Sequence, residues 1–306
     1  MTPEQFRQRL RERQLAAEEP PGEAAVDRAF VVSCDPGYLP GLHALLNSIH
    51  AYHGSTIPVF VCEQRLNGAQ LRRLLRHPLE VQIFRVAELP YPPAGSWEVK
   101  HQLFAHCLGL ARQVCLIDAD IVLTSPLDDV FELAAAGRIV GGWDSGPLRF
   151  GLEYKVYRDD LPGREVPYLN SGLVCMDIIR HWDVAGLWAF TTNFGVYTPT
   201  GGFPLRLPGH GDQGLLNAII AMQGKTDDLH LFPRGLWHEI FCDAEMRIID
   251  RPDARRLTVW NQSLNAQQRI LHNTGPKWWR DDGAERLARF GDKLECFWHF
   301  ADLTYD

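Results

Sequence analysis

Two aspartates separated by one residue, Asp118 and Asp120, follow directly on the apolar run Val114-Cys115-Leu116-Ile117. The run predicts a buried strand, so both carboxylates are delivered to the carboxyl edge of a sheet, where open α/β folds bind their ligands. A turn at Ala119 or a bridging ion is expected to make the two carboxylates converge. The pair indicates a divalent-cation site, and the alternative is an acidic pair that caps a helix or faces solvent.

A second apolar run, Arg269-Ile270-Leu271, predicts another strand and leads into His272. Further on, Gly275 permits close approach of the backbone, and Lys277 brings a compact positive charge that suits phosphate oxygens. Two aspartates and one histidine make a mixed oxygen and nitrogen shell, which leaves about three positions of an octahedral ion for water or phosphate. The imidazole favours Mn²⁺, with Mg²⁺ as the alternative.

The elements that must position these residues alternate along the chain. Strands are predicted over 29–32, 59–62 and 81–86, with helices between them over the stripe Leu42, Leu45, Leu46 and Ile49 and over 70–76. This βαβαβ rhythm is typical of a parallel sheet with helices on both faces. Further predictions are helices over 98–111, 212–222 and 285–297, a helix that begins at Pro126 with Ser125 as N-cap, and strands over 138–142 and 169–176.

The composition is that of a globular protein and excludes several functions. Of 306 residues, 45% are hydrophobic and 23% charged, and the formal net charge is −7. This acidic balance argues against a protein that coats nucleic acid or an anionic membrane. No run of about 18 apolar residues occurs and the N-terminus is charged throughout, so neither a membrane span nor a signal peptide is predicted. The seven cysteines contain no Cys-x-x-Cys pair, which indicates reduced thiols in a cytoplasmic protein.

Ordered motifs between about Phe30 and Trp279 resemble the GT-A glycosyltransferases, in particular the retaining family-eight group that includes glycogenin and bacterial lipopolysaccharide galactosyltransferases. That family's Asp-x-Asp motif, which binds Mn²⁺ against the donor diphosphate, is similar to Asp118-Ala119-Asp120. Its His-x-x-Gly-x-x-Lys-Pro-Trp motif resembles the segment from His272 to Trp278. The resemblance implies a GT-A fold, which is a Rossmann-like, mixed α/β, mostly parallel sheet with helices on both faces.

The resemblance also assigns residues to a nucleotide-sugar donor. It implies base contacts from Ser33, Asp35 and Tyr38, phosphate and sugar contacts from Lys100, diphosphate contacts from Gly275 and Lys277, and sugar contacts from Asp144, Asn170, Ser171 and Gly172. Asp212 and Gln213 fall where the family meets the other face of the sugar. Because glutamine is a poor nucleophile, these two are expected to orient sugar and acceptor for a front-face attack. Without the resemblance, helix capping is the alternative explanation of Asp212.

The sequence departs from the family pattern at two places. One residue separates Gly275 from Lys277 where the family usually has two, and Trp278 replaces the proline. Lys277 is therefore expected to approach a diphosphate from a shifted position. After the first predicted strand, an extra residue in Pro36-Gly37 precedes Tyr38, relative to the family pattern.

One GT-A domain is expected over 28–306, with residues 1–27 as a polar arm. Its half 28–125 would bind the nucleotide and its half 126–306 the donor sugar and the acceptor. One domain is expected because the metal site takes Asp118 and Asp120 from the first half and His272 from the second.

The expected function is that of a metal-dependent hexosyltransferase that acts on a nucleotide sugar, expected to be a UDP-sugar, with retention of configuration. The acceptor and the oligomeric state are not identified by the sequence. A non-catalytic nucleotide-sugar-binding protein is the first alternative, because of the altered Lys277 segment. An aspartate-nucleophile phosphatase is the second, although its Asp-x-Asp motif usually opens the domain, whereas here a βαβαβ run precedes it.

Overall fold

The computed structural model describes residues 8, 22–93, 96–144, 167–194, 212–233, 236–239, 246–273, 277–280 and 292–304. Most of the predicted arm over 1–27 lies outside these residues. So do Gly275 and the part 285–291 of the predicted C-terminal helix.

The strands among the described residues are two to nine residues long. They are β1 (Val26–Cys34), β2 (Val59–Glu63), β3 (Val81–Arg85), β4 (Ala111–Ile117), β5 (Ile121–Leu123), β6 (Ile139–Trp143), β7 (Leu169–Asp177), β8 (Leu229–Phe232), β9 (Trp237–Glu239), β10 (Met246–Asp250), β11 (Thr258–Asn261), β12 (Ala266–Gln267) and β13 (Ile270–His272). In the described part of the chain they form one seven-stranded sheet, β3-β2-β1-β4-β7-β6-β8, and two three-stranded sheets, β10-β11-β12 and β5-β13-β9.

Helices connect these strands. They are α1 (Leu39–His53), α2 (Gly68–Leu75), α3 (Ser96–His101), α4 (Leu103–His106), α5 (Asp128–Ala135), α6 (Trp182–Phe190), α7 (Asp212–Met222) and α8 (Asp292–Asp302), with short 3₁₀ turns at Val86–Glu88, Thr191–Phe194 and Thr226–Asp228. No helix among the described residues has the length and apolar character that a membrane crossing requires.

The predicted fold class is confirmed: the sheet is mixed and mostly parallel. Strands β1 and β4 pair in parallel, whereas β6 and β7 pair antiparallel. The apolar runs that predicted β1 and β4 are buried almost completely. The predicted helix over 212–222 is confirmed as α7.

Two predicted elements are wrong in their bounds. The helix over 98–111 is instead two short helices, α3 and α4, and β4 already begins at Ala111 because Gly109 takes a left-handed φ of +81° that ends the turn. The helix expected from Pro126 begins at Asp128 as α5. The amide of Leu127 donates to Nε2 of His53 at 3.1 Å, so it is satisfied outside the helix.

The six cysteines in the described residues are buried and form no disulfide with one another, and Cys242 lies outside the described part of the chain. The reduced state of the protein stays a prediction. Burial raises the pKa of the Cys34 and Cys175 thiols well above the ordinary value, which keeps them protonated.

Backbone contacts group the chain into two compact units. The first unit consists of Met1–Val31, Arg85–Leu116 and Val130–Leu231, and the second of Val32–Phe84, Ile117–Asp129 and Phe232–Asp306. The expectation of one domain over 28–306 stays a prediction.

In the first unit, helix α6 packs against α4 and α7, and α7 packs against β7. The buried Asn217 of α7 holds the backbone of Leu169 on β7 in both directions: its Oδ1 accepts from the Leu169 amide at 2.9 Å, and its Nδ2 donates to the Leu169 carbonyl at 2.8 Å. This amide pairing holds α7 beside β7.

In the second unit, helix α1 packs against β5 and α8. Ser48 of α1 accepts a hydrogen bond from the amide of Leu123 at 3.0 Å, which ties α1 to β5. Asn47 donates to the carbonyls of Phe300 at 2.6 Å and Leu303 at 3.1 Å, which satisfies acceptors at the end of α8. Helix α1 thereby supports β5, the strand that follows the two aspartates.

Candidate functional site

The candidate metal centre lies in the second unit, where β5 and β13 pair antiparallel with His272 opposite Ile121. The amide of Ile121 donates to the Asp118 carbonyl at 3.1 Å, so the turn expected at Ala119 is present. The amide of Asn273 donates to the Asp120 carbonyl at 2.9 Å. This register places His272, at the end of one strand, against the aspartates that precede the other.

The side chains of Asp118, Asp120 and His272 converge. His272 Nε2 lies 3.3 Å from Asp120 Oδ1 and 3.7 Å from Asp118 Oδ2, and one ligand atom of each residue lies within 4.8 Å of the others. Asp120 and His272 are 6% and 7% exposed, whereas the Asp118 side chain is 29% exposed. Two carboxylates and one imidazole in this spacing fit a first-row divalent cation, so the chemistry of the donor set agrees with the expected metal.

Lys277 adds a buried positive charge to this centre. Its Nζ lies 2.5 Å from Asp120 Oδ2, donates to the Asn273 carbonyl at 2.7 Å, and lies 5.3 Å from the centroid of the Tyr38 ring. Burial acts to raise the pKa of Asp120, but His272 and Lys277 outweigh burial and hold that pKa well below its ordinary value. The Asp120 carboxylate is therefore ionised at neutral pH.

The turn before α1 packs beside the same centre. Oδ1 of Asp35 accepts from the amides of Gly37 at 2.7 Å and Tyr38 at 3.2 Å, while the indole of Trp279 donates to the Gly37 carbonyl at 2.9 Å. The Tyr38 and Trp279 rings meet edge to face at 5.9 Å. Burial and then the negative charge of Asp120 raise the pKa of Tyr38 to about 12, so its phenol stays neutral.

A second polar group, here called the polar cluster, lies in the first unit. Nζ of Lys100 lies 3.0 Å from Asp212 Oδ2, and the Ser171 hydroxyl donates to that same oxygen at 2.8 Å. Burial acts to raise the pKa of Asp212, but Lys100, His101 and the Ser171 hydrogen bond outweigh it and lower that pKa. An ionised, buried carboxylate thus sits at the start of α7.

Amide side chains extend the polar cluster to a second carboxylate. Oε1 of Gln213 accepts from the Ser171 amide at 3.1 Å, and its Nε2 donates to Asp144 Oδ2 at 3.0 Å. Nδ2 of Asn170 donates to the same Asp144 oxygen at 3.2 Å, while Asn170 Oδ1 accepts from the Gly172 amide at 2.8 Å. Carboxylates and amides offer hydrogen-bond acceptors and donors that a hydroxyl group can pair with.

No protein-family model and no curated protein matches the sequence. Solved structures do match. The galactosyltransferase LgtC, in complex with donor and acceptor sugar analogs, is 15% identical with a TM-score of 0.51, over 87% of this chain and 95% of LgtC. The glycosyltransferase GlyE of Streptococcus pneumoniae TIGR4 is 16% identical with a TM-score of 0.54, over 91% of this chain. The chain has the GT-A fold.

The bifunctional glycosyltransferase WbbM has the same fold, at 15% identity and a TM-score of 0.54 over 92% of this chain. This chain spans 61% of the length of GlyE and 53% of that of WbbM. At such identities the likeness establishes the GT-A fold, and the activity has to be argued from the residues themselves.

The GT-A chain groups its predicted site residues within each unit. The second unit brings together the three predicted metal ligands with Lys277 and Tyr38. The first unit brings together Lys100, Asp144, Asn170, Ser171, Gly172, Asp212 and Gln213. Ser33 is half-buried on β1. One carboxylate oxygen of Asp35 accepts a hydrogen bond within its own turn. Their roles toward a donor stay predictions.

Three further residues support these groups and have no assigned role in the sequence motifs. Asn273 fixes both the Asp120 backbone and the Lys277 ammonium, and Asn217 holds α7 against β7. In the sequence, Asn217 stands out because it is an amide side chain within an apolar stretch of the predicted helix. His101 stacks on Trp188 at 5.4 Å, and burial lowers its pKa to about 4, although Asp212 acts in the opposite direction. Nothing in its local sequence distinguishes His101 from other histidines.

Proposed function

We propose that the chain is a metal-dependent glycosyltransferase that moves a hexosyl unit from a nucleotide sugar to an acceptor. The observation that carries this proposal is the convergence of Asp118, Asp120 and His272 within a GT-A fold. These residues would hold Mn²⁺ or Mg²⁺. When bound, the cation would supply Lewis-acid stabilisation of the negative charge that develops on a nucleoside diphosphate leaving group.

We assign the donor diphosphate to the candidate metal centre and the donor sugar to the polar cluster. The ionised Asp212 and the neighbouring amide of Gln213 can accept from and donate to sugar hydroxyls, and Lys100 balances the charge of Asp212. Neutral Gln213 is a poor nucleophile, which favours front-face attack by the acceptor and retention of configuration.

The proposed partners are a UDP-sugar donor and a sugar acceptor. LgtC, with the same fold, was solved in complex with donor and acceptor sugar analogs, and one LgtC structure carries an active-site glutamine-to-glutamate substitution. These descriptions support a role for sugars, and for glutamine, in a GT-A site of this kind. The choice of UDP over other nucleotides rests on the resemblance to the retaining family-eight group.

The deciding experiment is a screen of nucleotide sugars with Mn²⁺ or Mg²⁺, scored by release of nucleoside diphosphate. Turnover is expected with at least one donor and is expected to disappear with EDTA. Asp120→Asn should abolish turnover because it removes one metal-ligand charge, whereas Asp302→Asn, which removes an exposed carboxylate of the same unit, should leave it unchanged. Full turnover in EDTA or in Asp120→Asn would contradict the proposal.

A non-catalytic nucleotide-sugar-binding protein is the second candidate. The observation that favours it is Lys277, whose ammonium contacts Asp120 instead of standing free for a diphosphate. Thermal stabilisation by a nucleotide sugar and Mn²⁺, without any diphosphate release in the same screen, would support this candidate.

A further inference from the structure

The contacts of Lys277 are not explained by a role as a simple diphosphate-binding residue. An ammonium has three N–H donors. Two of them face Asp120 Oδ2 at 2.5 Å and the Asn273 carbonyl at 2.7 Å, and the Tyr38 ring lies 5.3 Å away on another side. The side chain is 8% exposed. Lys277 is therefore held as the counter-charge of a predicted metal ligand.

Both oxygens of the Asp120 carboxylate are engaged. Oδ2 faces Lys277, and Oδ1 lies 3.3 Å from His272 Nε2. A divalent cation on Asp120 would stand beside the Lys277 ammonium, and because both side chains are buried, solvent would screen the repulsion between the two positive charges only weakly. The cation and Lys277 therefore oppose each other at this carboxylate.

Lys277 belongs to the motif whose spacing departs from the family pattern. It comes four residues after Asn273, and its ammonium donates to the carbonyl of that residue. The departure from the family spacing therefore coincides with a lysine that contacts an aspartate and a backbone carbonyl.

We propose that Lys277 is a built-in competitor of the divalent cation for Asp120, and that the diphosphate of the donor relieves the competition by offering the ammonium another anion. The inference rests on the proposed function. Under this proposal, the cation binds weakly by itself and tightly in the presence of nucleotide. Most of this coupling depends on Lys277. By linkage, the cation strengthens diphosphate binding by the same factor.

The test is a Mn²⁺ titration of the full chain without nucleotide, with free Mn²⁺ followed by electron paramagnetic resonance. Lys277→Met keeps the length of the side chain and removes its charge, so it is expected to bind Mn²⁺ about tenfold more tightly than the wild type. Lys225→Met is the matched control: it removes an equal charge from an ion pair with Asp183 in the first unit, and its Mn²⁺ affinity should not change.

The same titration is then repeated with UDP. UDP is expected to tighten Mn²⁺ binding about tenfold or more in the wild type and by a smaller factor in Lys277→Met. Lys277→Gln serves as a second variant, since it retains a donor for Asn273 without the charge. If both variants fail to fold, equal Mn²⁺ affinity of the wild type with and without UDP still contradicts competition.

The failures are distinguishable. If the Lys277→Met variant folds but binds Mn²⁺ no more tightly than the wild type, Lys277 is not a competitor of the cation. That result would leave the proposed metal centre itself uncontradicted. If neither the wild type nor a folded variant binds Mn²⁺, with or without UDP, the proposed metal-dependent function fails and this inference fails with it.

Discussion

At the scale of single residues, the charge of the polar cluster depends on one buried ion pair. Lys100 and Asp212 are 3.0 Å apart, and their side chains are 10% and 12% exposed. The attraction between the two charges, together with the hydrogen bond that Ser171 donates to the carboxylate, offsets the cost of burying them. The sequence predicted these residues by motif, but it could not predict that they pair, because Lys100 and Asp212 lie on elements far apart in the chain.

Asp212→Asn is expected to destabilise the folded chain by about 3 kcal/mol, because it leaves the Lys100 ammonium buried without a full counter-charge. Asp183→Asn breaks a more exposed pair with Lys225, 21% and 19% exposed, and should cost about 1 kcal/mol or less. Urea unfolding followed by circular dichroism measures both.

The double variant Lys100→Met/Asp212→Asn tests whether the loss of stability in Asp212→Asn comes from the unpaired charge of Lys100. It should recover part of the stability that Asp212→Asn loses, because neither charge is then left buried alone. If the loss of stability in the double variant equals the sum of the losses in Lys100→Met and Asp212→Asn, the two charges are not energetically coupled.

At the scale of elements, the metal centre depends on the register of two three-residue strands. Pairing of β5 with β13 sets His272 opposite Ile121, next to the aspartates. Each strand is recognisable from its apolar residues. Their pairing is not, since nothing in the local sequence specifies the register between strands so distant along the chain. The start of α7 was predictable from the local sequence because the acidic Asp212 precedes an apolar stretch.

Gly41→Ala tests the contact between α1 and the turn of the aspartates. A Cβ at Gly41 would lie 2.5 Å from the Ala119 carbonyl oxygen and 2.7 Å from the Trp279 ring. Because a backbone carbonyl cannot yield without moving Asp118 and Asp120, we expect a loss of about 1–3 kcal/mol in stability. Mn²⁺ affinity should fall as well.

Gly186→Ala is the matched control for that substitution. Gly186 lies inside helix α6, and a Cβ there meets nothing within 4 Å. It should be neutral or stabilise by up to about 1 kcal/mol, because alanine favours a helix interior over glycine. Equal effects of the two substitutions on urea unfolding would rule out the tight contact as the cause.

Histidines near α1 predict a loss of stability in acid. The pKa of His43 is lowered to about 4 by burial and then by Arg73, and that of His77 to about 4 by burial and then by His50 and His43. His77 uses both ring nitrogens in its neutral form: Nδ1 accepts from the Leu79 amide at 3.2 Å, and Nε2 lies 2.9 Å from Asn47 Oδ1. A second proton would break the bond to Leu79.

The sign follows from proton binding. Between about pH 6.5 and 4 the unfolded chain binds protons at these histidines and the folded chain does not, so the free energy of unfolding falls as pH falls through that range. Each contributes roughly 1 kcal/mol, because partial exposure screens the shift. Urea midpoints at pH 7 and pH 4.5 measure the loss, and His77→Asn should reduce the difference between them. An identical difference in His77→Asn would exclude His77 as a source.

At the scale of the whole molecule, the charge of the chain opposes its proposed substrate. A net charge of −7 repels an anionic nucleotide sugar, and the ionised Asp120 adds to this at the candidate metal centre. The fold class could be predicted from the βαβαβ rhythm and the ordered motifs. The local compensation of charge could not, because it depends on which lysine meets which carboxylate after folding.

Ligand-dependent melting tests this charge balance in the intact chain. UDP alone is expected to raise the melting temperature little, because the carboxylates of Asp118 and Asp120 repel the diphosphate, and Mn²⁺ alone little, because Lys277 opposes it. Together they should stabilise the fold by about 2.7 kcal/mol when each is at a hundred times its apparent Kd. Asp120→Asn should lose this joint effect, and Asp302→Asn should keep it. A full shift with UDP in EDTA would mean that the diphosphate is bound without a cation, and that Asp118 and Asp120 have another function.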